Sequence, residues 1–265
     1  MRIASPGHAV FALLMIAVGL VGFIEGKFAP IWAPVSHTLA GREVLLYLCA
    51  TVGLLGGVGL LVRPTASMAA HSLFAFLLVW MLAFKAPFIL RAPLEEGSYQ
   101  SIGENAVGVA AAWVLVTWFA SDAEKKRIGF LAGDLGLRLA HVLYGLALVA
   151  FGFSHFFYVN LTTPLVPTYL PIHGSWAYIT GSAYLAAGVA VITGILARLA
   201  AVLVAVQIAL ITILVWAPMV AAGNIDAGHW QETVVSCAIT AGAWVMADSY
   251  RGAPWLFATK AQAAP

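Results

Sequence analysis

We predict an all-α integral membrane protein with eight transmembrane helices, arranged as two parallel four-helix repeats. Three observations lead to this fold class: the composition, an internal repeat and the placement of basic residues. Of the residues, 62% are hydrophobic and 9% are charged, and the mean hydropathy is +0.96. Soluble domains carry about 25% charged residues, so most of this surface is expected to face a lipid bilayer. The net charge of +2 gives no indication of nucleic-acid binding.

The repeat is visible without gaps over much of the chain. Ala112-Trp113-Val114 returns 131 positions later as Ala243-Trp244-Val245, and Ala86-Pro87 returns at the same offset as Ala217-Pro218. At an offset of 133, the first apolar segment matches the fifth. We infer a duplicated unit of roughly 115 residues. The expected domains are a first repeat at 1–120, a cytoplasmic linker at 121–136, a second repeat at 137–250 and a cytoplasmic tail at 251–265.

Eight segments are apolar over nearly the length that a membrane span requires, about 20 residues. Strands are excluded because an open sheet edge leaves unpaired backbone groups in hydrocarbon. The first segment has the composition of a signal peptide, but its match to the fifth segment predicts a retained helix. The predicted spans are 7–24, 44–62, 68–88, 104–119, 137–158, 176–196, 199–220 and 233–249.

Basic residues in the loops predict the orientation, because cytoplasmic loops are enriched in Lys and Arg. Lys27, Arg42, Lys85 and Arg91 fall on or near one face. The other nine of the 13 basic residues fall on the opposite face, which is therefore expected to be cytoplasmic together with both termini: Arg2, Arg63, Lys125, Lys126, Arg127, Arg138, Arg198, Arg251 and Lys260. The expected location is the bacterial inner membrane. The charged linker is interpreted as a solvated connector, with binding to anionic lipid as the alternative.

Ionisable residues near membrane segments are hypotheses for function, because their burial in lipid is costly. Here they gather at the extracytoplasmic helix ends and loops. The ionisable candidates are Glu25, Lys27, His37, Glu43, Lys85, Glu104, His155, His173, His229 and Glu232, and the neutral Gln231 joins them as a polar candidate.

His229, Gln231 and Glu232 form the best single cluster for proton exchange or polar-ligand binding. His229 and Glu232 are three residues apart and share a helix face if the helix has begun. A His–carboxylate pair exchanges protons near neutral pH, and His155 is the expected third catalytic residue. The alternative is an ordinary helix start, with Glu232 interacting favourably with the helix dipole.

Lys85 and Glu104 are expected to pair between the third and fourth helices, with Glu25 as a further member. A purely structural salt bridge is the alternative. At the repeat offsets Lys85 corresponds to Trp216 and Glu25 to Tyr158. The two halves therefore differ in polar residues, which favours a single asymmetric site.

Haem or metal binding has weaker support. His8 and His141 are matched and have the side chains for axial ligation of haem, but both lie at predicted cytoplasmic helix starts, where capping and interfacial hydrogen bonds suffice to explain them. His37, His155, His173 and His229 are suitable metal-ligand types, although no two have i, i+4 spacing. Cys49 and Cys237 show no metal-binding spacing and are interpreted as small apolar residues, with a disulfide as the alternative.

Several motifs resemble the DoxX-like membrane proteins. The first helix ends in Gly19, Gly22 and Phe23 followed by Gly26-Lys27-Phe28, and the second contains Gly53-Leu-Leu-Gly-Gly57. The second half is similar through Gly152-Phe153-Ser154-His155-Phe156. The chain therefore resembles a tandem fusion of two such units. The resemblance implies a quinone-linked redox role, with quinone as the cofactor and a redox partner subunit.

The first functional hypothesis is thus a component of a quinone-linked oxidoreductase with a polar pocket on the extracytoplasmic side. Proton exchange in this pocket is assigned to His155, His229 and Glu232. The local electrostatic field is set by Glu25, Lys85 and Glu104. A transporter or small-molecule binding protein using the same pocket is the second hypothesis. A membrane scaffold for a periplasmic partner is the third.

Overall fold

A computed structural model describes residues 3–223 and 225–256, and all regular secondary structure in these ranges is helical. Eight long helices are labelled α1 to α8 in chain order, and the shorter segments between them carry no label. Their bounds are Pro6–Glu25 (α1), Arg42–Leu61 (α2), Ala66–Arg91 (α3), Glu96–Phe119 (α4), Asp134–Phe157 (α5), His173–Thr193 (α6), Ala197–Ala221 (α7) and Ala227–Ser249 (α8).

Seven of these helices, α1 to α7, are long and apolar enough to cross a membrane within the described part of the chain. The protein is therefore all-helical, with the apolar helices expected of a multi-pass membrane protein. The predicted eighth span is also helical over 23 residues, but it is not among the seven. Polar side chains near both of its ends, including Gln231, Glu232 and Asp248, make it less apolar than the others.

The long helices form a closed ring in which each packs against its neighbours in sequence and α8 packs against α1. In addition, α4 contacts α8 across the ring. The central position of α4 explains why its side chains dominate the core. Val107, Ala111, Val114 and Leu115 have no exposed surface.

Glycines allow α1 and α2 to approach closely. A Cβ atom on Gly19 would lie 2.4 Å from the backbone nitrogen of Leu54, and one on Gly57 would lie 2.5 Å from the carbonyl oxygen of Ala12. Without side chains at these positions the two backbones come into van der Waals contact. Such close dispersion contacts are typical of helix pairs in membranes, where lipid gives no hydrophobic driving force between helices.

Two helices are interrupted by π-helical turns. These turns span Met81–Lys85 in α3 and Thr212–Trp216 in α7, and each is followed directly by an Ala-Pro pair. Proline has no N–H group, and its ring clashes with the carbonyl four residues earlier. The wider π turn places an extra residue before the proline and so accommodates it.

The predicted linker contains two short helices, Asp122–Arg127 and Gly129–Ala132. The first begins with a capping box between Ser121 and Glu124. The second packs against α4, where the indole Nε1 of Trp113 donates to the carbonyl of Leu131 at 2.9 Å. The connector is therefore folded onto the bundle at this point.

At one end of the bundle, the first and last long helices are joined by a contact between distant parts of the chain. Asp248 near the end of α8 accepts a hydrogen bond from the backbone N–H of Gly7 at 2.8 Å, and it pairs with Arg251 at 2.7 Å. We call this the terminal end, because α1 begins and α8 ends there. The opposite end, which carries the loops at 26–41 and 158–172, is called the loop end. Arg2 and Lys260, which were used to predict the orientation, lie outside the described residues.

Candidate functional site

Lys85 is the central polar residue of the loop-end half. It is the last residue of the π turn in α3, and it is only 3% exposed. Its Nζ donates to the carbonyl oxygen of Ala33, in the loop between α1 and α2, and to the Oγ of Ser101 at 3.0 Å. Lys85 thus links the α1–α2 loop to α3 and α4.

A small cavity of about 30 Å³ lies beside Lys85. A water molecule needs roughly 10–15 Å³ of such volume, so the cavity has room for about two waters. Its polar walls are Lys85, Glu104 and Asn105. The Oδ1 of Asn105 is buried and has no protein partner among the described residues, and a water in the cavity would satisfy it. The remaining walls are apolar and come from α1, α3, α4, α8 and the α1–α2 loop: Phe11, Leu14, Met15, Ile31, Leu77, Gly108, Val235 and Ala238.

A short chain of hydrogen bonds leads from the cavity to α5. Gln100 donates from Nε2 to Oε1 of Glu104 at 3.2 Å, and Ser154 donates from Oγ to Oε1 of Gln100 at 2.7 Å. Gln100 and Glu104 are four residues apart, so they lie on the same face of α4. The carboxyl group of Glu104 is therefore held by a neutral donor.

The predicted ion pair between Lys85 and Glu104 does not form as a direct contact. Both side chains face the same cavity, and Glu104 lies within electrostatic range of Lys85, Glu96 and Glu232. In the described part of the chain, the direct ion pairs are those of His229 with Asp226 and Arg251 with Asp248. Lys85 uses hydrogen bonds to neutral oxygens instead, as described above.

The histidine of the predicted His229–Glu232 pair has a different partner. The Nδ1 of His229 lies 2.6 Å from the Oδ2 of Asp226, whose Oδ1 accepts from the His229 backbone N–H at 2.9 Å. These two hydrogen bonds lower the pKa of the exposed Asp226 carboxyl group below its ordinary value. Asp226 is the N-cap of α8, so His229 is primarily part of a helix start. Glu232 is within electrostatic range of both His229 and Glu104, and Glu232 and Gln231 are both exposed.

His155 lies outside the cavity and faces α6. Its Nδ1 is 2.8 Å from the carbonyl oxygen of Phe151, which only accepts, so Nδ1 carries the proton. The ring lies 5.2 Å from that of Tyr184, centroid to centroid. His155 is adjacent in sequence to Ser154, the last member of the hydrogen-bond chain, but it does not itself touch Glu104 in any described hydrogen bond.

The other predicted site residues lie apart from the cavity. Glu25, Lys27 and His37 are exposed, and His173 is the partly exposed first residue of α6. Within residues 3–223 and 225–256, no group of three or more His, Cys, Asp or Glu side chains is arranged to hold a metal ion. Cys49 and Cys237 are both free thiols.

The matched histidines are engaged separately at the terminal end. His8 is fully buried; its Nδ1 accepts from the N–H of Ala4 at 3.2 Å, and its Nε2 donates to the carbonyl of Leu60 at 3.1 Å. The Nε2 of His141 bonds to the Oγ of Ser249 at 2.8 Å. In this arrangement each ring serves to join helices.

Sequence reasoning missed Gln100, Ser101, Asn105 and Ser154. Neutral polar residues are common at helix interfaces and therefore do not stand out in the sequence. The i, i+4 spacing of Gln100 and Glu104 was the one pattern that could have identified Gln100 as a partner of Glu104. No family model, no characterised protein and no solved structure matches the chain.

Proposed function

We propose that the protein crosses the membrane eight times, as two parallel four-helix repeats of the DoxX-like type. The helix bounds support the repeat. At the offset of 131 positions, Arg42 corresponds to His173, Ala66 to Ala197 and Glu96 to Ala227, and each of these residues begins a helix. The π turns Met81–Lys85 and Thr212–Trp216 are related by the same offset.

The packing of the helices supports the same relation. The pair α1 and α2 corresponds to α5 and α6, and the contact of α1 with α8 corresponds to that of α5 with α4. Since α4 and α8 correspond to each other, the repeat relates the contact between them to itself. A pseudo-two-fold axis along the membrane normal relates such halves, and both then have the same orientation.

The terminal end is proposed to be cytoplasmic, in the bacterial inner membrane. The supporting observation is that the linker, with Lys125, Lys126 and Arg127, and the start of α7, with Arg198, share this end. Alkaline phosphatase fused within the α1–α2 loop should be active, and the same fusion within the linker should be inactive.

We propose further that the protein is the proton-exchanging component of a quinone-linked membrane redox reaction. The observation that carries this proposal is the cavity in which Lys85 and Glu104 face each other inside an apolar bundle. A carboxyl group in such surroundings can hold a proton at neutral pH and release it when a local charge changes. Glu232, which is exposed near the loop end, gives a second carboxyl group within electrostatic range of Glu104.

The role of the chain's residues follows from the size of the cavity. A space for about two waters is smaller than a quinone ring, so the role proposed for Glu104 is to take or give protons. A quinol supplies two electrons and two protons when it is oxidised, and the electrons would pass to a partner subunit. Lys85 holds the α1–α2 loop over this region and provides the positive charge that balances Glu104.

Infrared difference spectroscopy tests this function on the purified protein. Oxidation of an added water-soluble quinol by an added electron acceptor, which replaces the partner subunit, should change a carboxylic-acid C=O band, and Glu104→Gln should remove that change. Glu25→Gln is the matched control, because Glu25 is exposed and outside the cavity. The proposal fails if no quinone co-purifies with the protein and a quinol changes no carboxyl band.

Proton-coupled transport is a second candidate function. The interrupted helices α3 and α7 favour it, because breaks at corresponding positions of two repeats often mark a transporter binding site. Proteoliposomes containing the protein and an internal pH-sensitive dye provide the test. A substrate-dependent proton flux that is lost in Glu104→Gln, without any response to quinol, would favour transport over the redox function.

A further inference from the structure

A second and larger cavity lies at the terminal end, far along the bundle from Lys85. It is a groove of about 390 Å³ between α7 and α8. Most of its walls are apolar, while its end near the start of α7 carries charged residues. Its lining residues are Arg198, Val202, Ala205, Val206, Ala209, Thr240, Trp244, Ala247, Asp248, Arg251 and Trp255.

Small side chains create the space in this groove. Ala205, Ala209 and Ala247 line it from the two facing helices. Trp244 forms part of the wall and is 42% exposed. In a helix pair that faces lipid, such a space is filled by something apolar, because water in it would meet few polar partners.

The corresponding place between α3 and α4 is filled by the protein itself. Phe74, which stands where Ala205 stands in the second half, is 6% exposed and packs on Trp113 with ring centroids 5.0 Å apart. Trp113, the counterpart of Trp244, is also covered by Leu131 of the linker through its indole hydrogen bond. The second half has Ala205 in place of Phe74, and the groove includes the space that the phenyl ring would fill.

The charged end of the groove is suited to an anion. The guanidinium of Arg198 stacks 4.1 Å above the ring of Trp255 and donates to the carbonyl of Ala253 at 2.6 Å, so its position is fixed. Arg251 pairs with Asp248, yet its side chain remains 54% exposed. Two guanidinium groups against one carboxylate leave a positive charge, next to a tryptophan of the kind found at membrane interfaces.

We propose that this groove binds one phospholipid with an anionic head group, from the leaflet at the terminal end. An acyl chain lies against the alanines of α7 and α8, and the phosphate lies at Arg198 and Arg251. Arginine suits this role because its planar N–H donors match phosphate oxygens in pairs. The lipid thereby occupies the space that Phe74 and the linker occupy in the first half. This inference depends on the membrane location of the protein, and it is independent of the proton-exchange function.

Native mass spectrometry of the full chain, released from detergent with added lipid, tests the proposal. Phosphatidylglycerol should be retained in preference to phosphatidylcholine with the same acyl chains. Arg198→Gln should lower its retention about fivefold, from the roughly 1 kcal/mol that one basic residue contributes near anionic lipid. Ala205→Phe should lower retention as well, because it restores the side chain that fills the groove in the first half.

Matched control variants separate the site from general effects. Arg138→Gln removes an exposed arginine from α5, which does not line the groove, and Leu210→Phe adds an aromatic ring on an exposed position of α7 outside the groove. Both should retain phosphatidylglycerol as the unmodified chain does.

Four results would overturn the proposal. One is equal retention of the two lipids, and a second is full retention in Ala205→Phe. The third is displacement of the bound lipid by inorganic phosphate alone, which would indicate a site for a free anion. The fourth is a dimer of the unmodified chain that disappears in Ala205→Phe, which would identify a second copy of the protein as the occupant.

Discussion

Lys85→Met is the substitution that most directly tests the loop-end cavity. Methionine keeps much of the length and volume of the lysine side chain, so the packing of its apolar part is preserved. The change removes the donors to the carbonyl of Ala33 and to the Oγ of Ser101, and it removes the positive charge that faces Glu104.

The expected loss follows from these contacts. A buried polar group that loses its partner costs about 1–3 kcal/mol. Breaking one member of a buried charge arrangement costs about 3–5 kcal/mol, and protonation of Glu104 relieves part of that. We therefore expect the free energy of unfolding to fall by about 2–4 kcal/mol. Glu104→Gln in the same chain should recover more than about 1 kcal/mol, because the uncompensated carboxylate is then absent.

The assay is equilibrium unfolding in mild detergent by added dodecyl sulfate, followed by circular dichroism, for both single variants and the double variant. Lys27→Met is the matched control, since Lys27 is exposed, and it should change the stability by less than about 0.5 kcal/mol. Equal stability of Lys85→Met and Lys27→Met would refute the anchoring role of Lys85. Strict additivity with Glu104→Gln would refute the coupling across the cavity.

Two further predictions concern packing and pH. Gly19→Ala should destabilise the protein by about 1–3 kcal/mol in the same unfolding assay, because its Cβ would lie 2.4 Å from the backbone of Leu54. Gly174→Ala is the control: its Cβ would meet nothing within 4 Å, so the change should be neutral or slightly stabilising. Equal effects of the two substitutions would contradict the close approach of α1 and α2 as the cause. The lowered pKa of Asp226 means that its hydrogen bonds stabilise the start of α8 above the ordinary Asp pKa, and that this stabilisation is lost as pH falls through the lowered value. His229→Ala should move the pKa of Asp226 back toward its ordinary value in an NMR titration, and an unchanged pKa would show that the His229 ring is not responsible.

The number and order of the long helices could be predicted from the sequence, whereas two of their starts could not. The predicted spans begin at 104 and 233, but the helices begin at Glu96 and Ala227. Hydropathy excludes the polar first turns, although these turns are helical. At the start of α4 the N–H of Gly97 donates to the hydroxyl of Tyr158, and at the start of α8 Asp226 is the N-cap. Asp226, an N-cap residue, was the available signal for the second of these starts.

The candidate site was predictable only in part, because its geometry depends on three-dimensional packing. Lys85 and Glu104 were identified from their cost in a membrane, and they do face one cavity. Glu25 was grouped with them by its position at a helix end, but helix rotation leaves it exposed. Asn105 gave no signal, since from the sequence a neutral amide is indistinguishable from an ordinary interface residue.

The contact of Asp248 with Gly7 and Arg251 places the two ends of the helical ring side by side. The order of the two halves along the chain is therefore not imposed by their packing. A circularly permuted gene that starts at α5, continues from α8 through a short peptide into α1 and stops after α4 would encode the same set of helix pairs. The linker would then be cut, and its loss would expose Trp113 as Trp244 is exposed now.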